Sequence, residues 1–126
     1  MKPKAFLFDM NGTMINDMHY HGDAWFKILN EDLGANMNEA QVKSHMYGKN
    51  DELFVRIFGE GKFTKAEMDK WSLQKEQAYQ ETYRPHLQLL PGLDSFLNKA
   101  TQKGIAKAFS HNCWDQVDLK IVAVTV

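Results

Sequence analysis

The feature that most limits how this chain can fold is a separation along it. An apolar run, Ala5 to Phe8, closes on Asp9 and an Asn11-Gly12 turn, and the next strand-like run, "IAKAFS", begins only at Ile105. The first run shows no alternation of apolar and polar residues, as a central strand covered on both faces would. Asn-Gly ends it, because both residues tolerate the backbone of a tight turn. What lies between the two runs reads as helix. A strand, a block of helices, then a helix and a second strand is an α/β pattern with a helical insertion after the first strand.

The insertion divides at its caps. Residues 16–33 carry Met18, Trp25, Leu29 and Leu33 on one stripe with Phe26 beside it, and Gly34 is placed to stop that helix in a left-handed residue. Asn38 with Gln41 forms a capping-box pattern for a second helix that Gly48 ends. Asn50 is placed to cap a third, running to Phe58 and stopped at Gly59-Glu60-Gly61. Thr64 with Glu67 opens a fourth, with Met68, Trp71, Lys75, Tyr79 and Tyr83 at helical intervals. A linker with Pro85 and Pro91 follows. Pro91 suits the first turn of a further helix, in which Leu93, Phe96, Leu97 and Ala100 share a face and which Gly104 ends. Residues 16–83 are thus read as a helical block, and residues 1–15 with 84–126 as the α/β part.

Charge and composition narrow the classes of partner. The formal net charge is −1, so no nucleic acid and no acidic membrane surface is expected as a partner. The one cysteine, Cys113, excludes an internal disulfide and is read as structural in a reducing compartment. No apolar stretch reaches the length of a membrane span, and Met-Lys-Pro-Lys at the start has no signal-peptide core. A cytoplasmic protein is the expectation.

Asp9 is where chemistry is expected. A carboxylate at the carboxyl end of a central parallel strand lies where α/β folds place ligands. Gly12 lets the chain turn close to a bound anion, and Thr13 adds a hydroxyl. An aspartate so placed serves as a nucleophile on phosphorus or as a magnesium ligand. Taken alone, it serves equally to bond the amides of its own turn.

"FLFDMNGTMIND" resembles the first motif, D-x-D-G-T, of the haloacid dehalogenase-like (HAD) superfamily. "MHYHGDAW" and "YGKNDEL" are similar to segments of its β-phosphoglucomutase-like branch, and "YRPHLQLLPGLDSFLNKATQKGI" to the segment that leaves the cap and returns to the core. The resemblance runs in order from residue 4 to about 105. It implies a Rossmann-like core with a four-helix cap inserted after the first strand. It also implies a phosphohydrolase or phosphoglucomutase-like phosphotransferase that acts on a small phosphorylated metabolite, such as a sugar phosphate, through an aspartyl phosphate with Mg2+. Carried over, Asp9 is the nucleophile and a metal ligand, and Asn11 gives its backbone carbonyl to the metal. Gly12 and Thr13 form the phosphate turn, His21 faces the cleft between cap and core, and Asn50, with Lys49, meets the substrate. The bland readings of the last two are a helix cap and a solvated charge.

Two departures set limits on that expectation. The family's general acid–base residue stands where this chain has Asn11, whose amide cannot exchange a proton near neutral pH. The second strand should end in a Ser or Thr that holds phosphate: an ungapped alignment from Gly104 places His111 there and a slip of one places Ser110, which the chemistry favours. Lys107 within that strand is unusual for a strand covered on both faces. A lysine and an acidic cluster should follow, and residues 112–126 offer no counterpart for either. "KIVAVTV" reads as a later core strand, or "WDQVDLKIV" as the helix after the second. The core is therefore expected to be incomplete, by truncation or internal deletion, to bind magnesium weakly, and to favour a homodimer through the unfinished sheet. The competing expectation is a catalytically impaired, truncated remnant acting as a binding module or having no activity. His19 and His21, two residues apart, do not share a helix face and make a weak metal pair even with Asp17 or Asp23.

Overall fold

The computed structural model describes residues 5–110. The strand or helix expected after residue 112, His111 and Cys113 lie outside the described residues. Asp17–Leu87 form one compact unit, and the described residues on either side of them form the other.

The helical unit opens with α1, Met18–Lys27, which widens into a single π-helical turn over Ile28–Asp32. The one helix expected over residues 16–33 is therefore two pieces. In the wide turn the Leu33 N–H reaches the Ile28 carbonyl at 3.0 Å. The Asn30 side-chain amide both donates to the Met37 carbonyl, at 2.9 Å, and accepts from the Met37 N–H, at 2.7 Å, so the following loop is tied back to this turn. Trp25 and Leu29 are buried as the stripe requires, but Met18 is 43% exposed and Ile28 takes the inner position.

The next helices start as their caps dictate. The Asn38 side chain accepts from the Gln41 N–H and the Gln41 side chain from the Asn38 N–H, both at 2.9 Å, opening α2, Glu39–His45. Helix α3, Asn50–Phe58, is capped one residue earlier than expected: Lys49 is the N-cap and Asn50 is the first helical residue. A lysine side chain has no acceptor, so only the return half of a box exists there, from the Lys49 N–H to the Glu52 carboxylate at 3.0 Å. Helix α4, Lys65–Tyr83, carries the full box, Thr64 accepting from the Glu67 N–H and Glu67 from that of Thr64. Trp25, Leu29, Val42, Leu53 and Phe54 form the core of this unit, with Phe63, Met68 and Trp71 packed around it. Trp25, Phe54 and Phe63 meet edge to face at centroid distances of 5.6 and 5.7 Å, the favourable arrangement for aromatic quadrupoles.

The other unit pairs β1, Ala5–Asp9, in parallel with β2, Ala106–Ser110, Ala5 opposite Ala106 and Asp9 opposite Ser110. Between them lies α5, Leu93–Gln102, which buries Leu97 and Ala100. Pro91 is not inside this helix. Leu90-Pro91-Gly92-Leu93 is a β-turn closed by the Leu93 N–H on the Leu90 carbonyl at 3.1 Å, with Gly92 at φ 85°, the type II pattern of Pro then Gly. Phe6 and Phe8 face Phe96 of α5, at centroid distances of 5.2 and 6.2 Å. Among the described residues nothing covers the opposite face, where Leu7 is 73% exposed, so within them β1 is covered on one face and not on both as its composition suggested. Lys107, on the covered face, has a reason to be there: its ammonium donates to the Thr101 hydroxyl and, at 3.4 Å, to the Leu97 carbonyl.

Candidate functional site

Strand β1 delivers Asp9 to the carboxyl end of the parallel pair, and the register sets the backbone of Ser110 directly beside it. The Asp9 carboxylate is exposed, and one of its oxygens accepts from the Met10 N–H at 2.9 Å, which orients it over the turn. Met10 and Ile15, 5% and 3% exposed, anchor that turn. The Met10 carbonyl gathers the N–H groups of Thr13 at 3.1 Å, Met14 at 2.8 Å and Ile15 at 3.4 Å. Gly12 sits at φ 68°, where a β-carbon would be strained. The Met14 carbonyl accepts from the Leu90 N–H at 2.8 Å and Ile15 bridges Leu89, so the turn is also held by the segment that follows the helical unit in the chain.

Asp9, Asn11, Gly12, Thr13 and the backbone of Ser110 thus come together at one end of the two-stranded sheet. His21 and Asn50 belong to the other unit, on α1 and at the first position of α3. An exposed carboxylate beside an exposed Gly-Thr turn at the end of parallel strands can receive a phosphoryl group. Among the described residues no three His, Cys, Asp or Glu side chains gather as a metal cluster. The Asp9 carboxylate and the Asn11 carbonyl offer hard oxygen ligands. That set fits magnesium, which is held by one or two carboxylates plus substrate phosphate and keeps several waters.

His21 has a denser environment than its position in the sequence indicated. Its Nε2 lies 3.2 Å from Asp17 Oδ2 and its Nδ1 lies 2.7 Å from the Lys75 ammonium. The Tyr79 hydroxyl donates to the same Asp17 oxygen at 2.6 Å, and the Tyr79 ring stacks on the imidazole with centroids 3.7 Å apart. Lys75 also pairs with Glu76 at 2.7 Å. Asp17 is 0%, Lys75 3% and His21 7% exposed. An ammonium can only donate, so Nδ1 accepts and the ring proton is on Nε2, pointing at Asp17. In an imidazolium both Nδ1–H and the ammonium would present protons to each other. The arrangement holds the imidazole between a carboxylate and an ammonium, and each buried charge has a hydrogen-bonded partner.

Lys75, Tyr79 and Glu76 were not singled out as site residues by sequence reasoning, and Asp17 was weighed only as a partner in a weak metal pair. One signal for them was legible: Asp17 with His21 and Lys75 with Tyr79 are i, i+4 pairs, and Lys75 interrupts an apolar stripe.

No family model and no curated protein matches the chain. Solved structures do. A HAD hydrolase of family IA, variant 3, from Entamoeba histolytica superposes with a TM-score of 0.75 at 23% identity, over 96% of this chain and 52% of that one. A β-phosphoglucomutase from Clostridium difficile gives 0.71 at 22% identity, over 86% of this chain and 51% of that one. A hydrolase from Pseudomonas syringae gives 0.71 at 17% identity, over 96% and 54%. The chain spans about half the length of these structures. At these identities the likeness is one of fold: the chain, helix-rich α/β with a short parallel sheet, matches about half of the fold of these HAD hydrolases and this β-phosphoglucomutase.

Proposed function

We propose that the chain acts as a HAD-type phosphohydrolase or phosphoglucomutase-like phosphotransferase on a small phosphorylated metabolite, with Asp9 as nucleophile. The observation that supports this reading best is the placement of Asp9. It stands exposed at the carboxyl end of β1, in register with the end of a parallel strand, over a turn that passes through a left-handed Gly12. In the reaction proposed, an Asp9 carboxylate oxygen forms a bond to phosphorus as the bond from phosphorus to the substrate oxygen breaks. The leaving oxygen takes a proton from solvent water, and water or a second hydroxyl then attacks phosphorus, breaks the bond from phosphorus to Asp9 and gives up its own proton to solvent. Thr13 and Ser110 are the hydroxyls proposed to hold the phosphoryl oxygens. Magnesium, held by the Asp9 carboxylate and the Asn11 carbonyl, would supply charge neutralisation between nucleophile and phosphate. His21 is proposed to serve through its position between Asp17 and Lys75.

Asn11 favours a second reading. Two residues after the nucleophile a carboxyl group would protonate the leaving oxygen, and an amide cannot. Such help is typically worth ~10²–10⁴ in rate. The second reading is a protein that binds phosphorylated metabolites at this turn with little or no turnover. Radiolabelled acetyl phosphate separates the two. Covalent label that hydroxylamine releases and that Asp9→Asn abolishes supports the enzyme; saturable binding of inorganic phosphate without covalent label supports the binding module. Label that persists in Asp9→Asn would remove Asp9 from its role.

A further inference from the structure

Few groups in the unit that carries Asp9 can move a proton. Among its described residues, 5–16 and 88–110, the ionisable side chains are Asp9, Asp94, Lys99, Lys103 and Lys107. The three lysines belong away from Asp9. Strand β2 begins with Ala106 opposite Ala5, at the amino end of β1, whereas Asp9 stands at the carboxyl end. Lys103, three residues before Ala106, and Lys99, in the last turn of α5, therefore lie toward the amino end. Lys107 stands opposite Phe6, and its ammonium is engaged by the Thr101 hydroxyl and the Leu97 carbonyl. Asp94 is exposed in the first turn of α5.

The turn beside Asp9 carries an amide and a hydroxyl instead. Asn11 is half-buried, and its backbone bridges Ile15, which is 3% exposed and whose N–H reaches the Met10 carbonyl. Thr13 is exposed on the same turn. Both side chains can hydrogen-bond to a phosphoryl group, but neither exchanges a proton near neutral pH. That matters for what can leave. The transition state of phosphoryl transfer is loose, so the leaving oxygen has taken up much of its negative charge before the new bond is complete. An alkoxide leaving from a sugar phosphate needs a proton, which in the reading above comes from water. A carboxylate needs none, because it is a stable anion at neutral pH.

We infer that the Asp9 site takes its phosphoryl group from acyl phosphates, the mixed anhydrides of a carboxylic acid and phosphoric acid, in preference to phosphate esters of sugars and other alcohols. The inference rests on the reading above, with Asp9 as nucleophile, and names its class of substrate. In the step, an Asp9 carboxylate oxygen forms a bond to phosphorus. The bond from phosphorus to the donor's carboxylate oxygen breaks, and its electron pair leaves with that oxygen. One acyl phosphate is exchanged for another, so the bond made and the bond broken are of one kind and no proton moves. The exposed position of Asp9 and the Met10 N–H on one of its oxygens, at 2.9 Å, suit this exchange, since they present the carboxylate without asking a neighbour for acid–base help.

The full chain is incubated with Mg2+ and either acetyl phosphate or glucose 6-phosphate, each radiolabelled in the phosphoryl group, and the initial rate of hydroxylamine-labile covalent label is measured. Acetyl phosphate is expected to label the wild type at least ~10² times faster than glucose 6-phosphate. Asn11→Asp, which restores a proton donor beside Asp9, is expected to raise labelling by glucose 6-phosphate ~10²–10⁴-fold and so to narrow the gap between the donors. Asp94→Asn, at an exposed position, should leave the gap as it is. Equal rates from the two donors in the wild type would overturn the inference alone, and that comparison needs no variant. So would a gap that Asn11→Asp leaves as wide, or a loss of glucose 6-phosphate label in Asp94→Asn, which would identify Asp94 as the proton donor. No label from either donor, or label that persists in Asp9→Asn, would overturn the functional reading, and this inference with it.

Discussion

Asn11 and Tyr79 are single residues on which much depends. Asn11 is close in shape to an aspartate, but its amide can neither give up nor take a proton near neutral pH. If Asp9 is the nucleophile, Asn11→Asp should raise turnover of a chromogenic phosphate ester by ~10²–10⁴. An unchanged rate would mean that the leaving oxygen takes its proton from elsewhere. Tyr79 holds Asp17 by its hydroxyl and His21 by its ring. Tyr79→Phe keeps the stack and removes the bond to a buried carboxylate, at a cost of about 1.5–3 kcal/mol in chemical denaturation.

Caps decide where the helices begin. The Glu67 carboxyl is held below its ordinary value of 4.5, first by the Thr64 backbone N–H and then by the Thr64 hydroxyl. A depressed carboxylate stabilises the fold above its unfolded pKa and loses that contribution as pH falls through the folded one. Glu67→Gln should therefore be less stable than wild type at pH 7, and the two should converge as pH drops below about 4, the ordinary carboxylate range. A gap that stays constant with pH would show that the charge of Glu67 is not what the cap uses. The same scale explains two misread boundaries. Asn50 is an able capping residue, but Glu52 reaching back to Lys49 set the start of α3 one residue earlier. Pro91 suits a first helical turn, but with Gly92 after it the pair makes a type II turn instead.

The two units differ in how much each can bury. The helical unit encloses Leu29, 0% exposed, among aromatic neighbours. In the other, two described strands share one covering helix, and Leu7 is 73% exposed on the far face. Leu29→Ala should cost about 2–5 kcal/mol, whereas Leu7→Thr should stay within about 0.5 kcal/mol. Hydrogen exchange should find the amides of α1 and α4 better protected than those of β1 and β2, since protection follows buried contact. Equal protection in the strands would mean that the sheet is closed more fully than its described residues show. No described helix is long and apolar enough to cross a membrane.

Local chemistry was legible in the sequence. The order strand, helices, helix, strand followed from periodicity, and the Asn38 and Thr64 caps from side chains that bond the backbone three residues on. The turn after Asp9 followed from Asn-Gly, because those contacts lie within a few residues. The burial of β1 was not legible: four apolar residues in a row read the same whether one face is covered or both, and only the placement of α5 against Phe6 and Phe8 decides it. Nor was the setting of His21. Asp17 lies 4 residues away and could be guessed, but Tyr79 acts on Asp17 across 62 residues and Lys75 on His21 across 54. The packing of α4 against α1 alone brings those groups within hydrogen-bonding distance, and so sets the His21 ring between two buried charged groups.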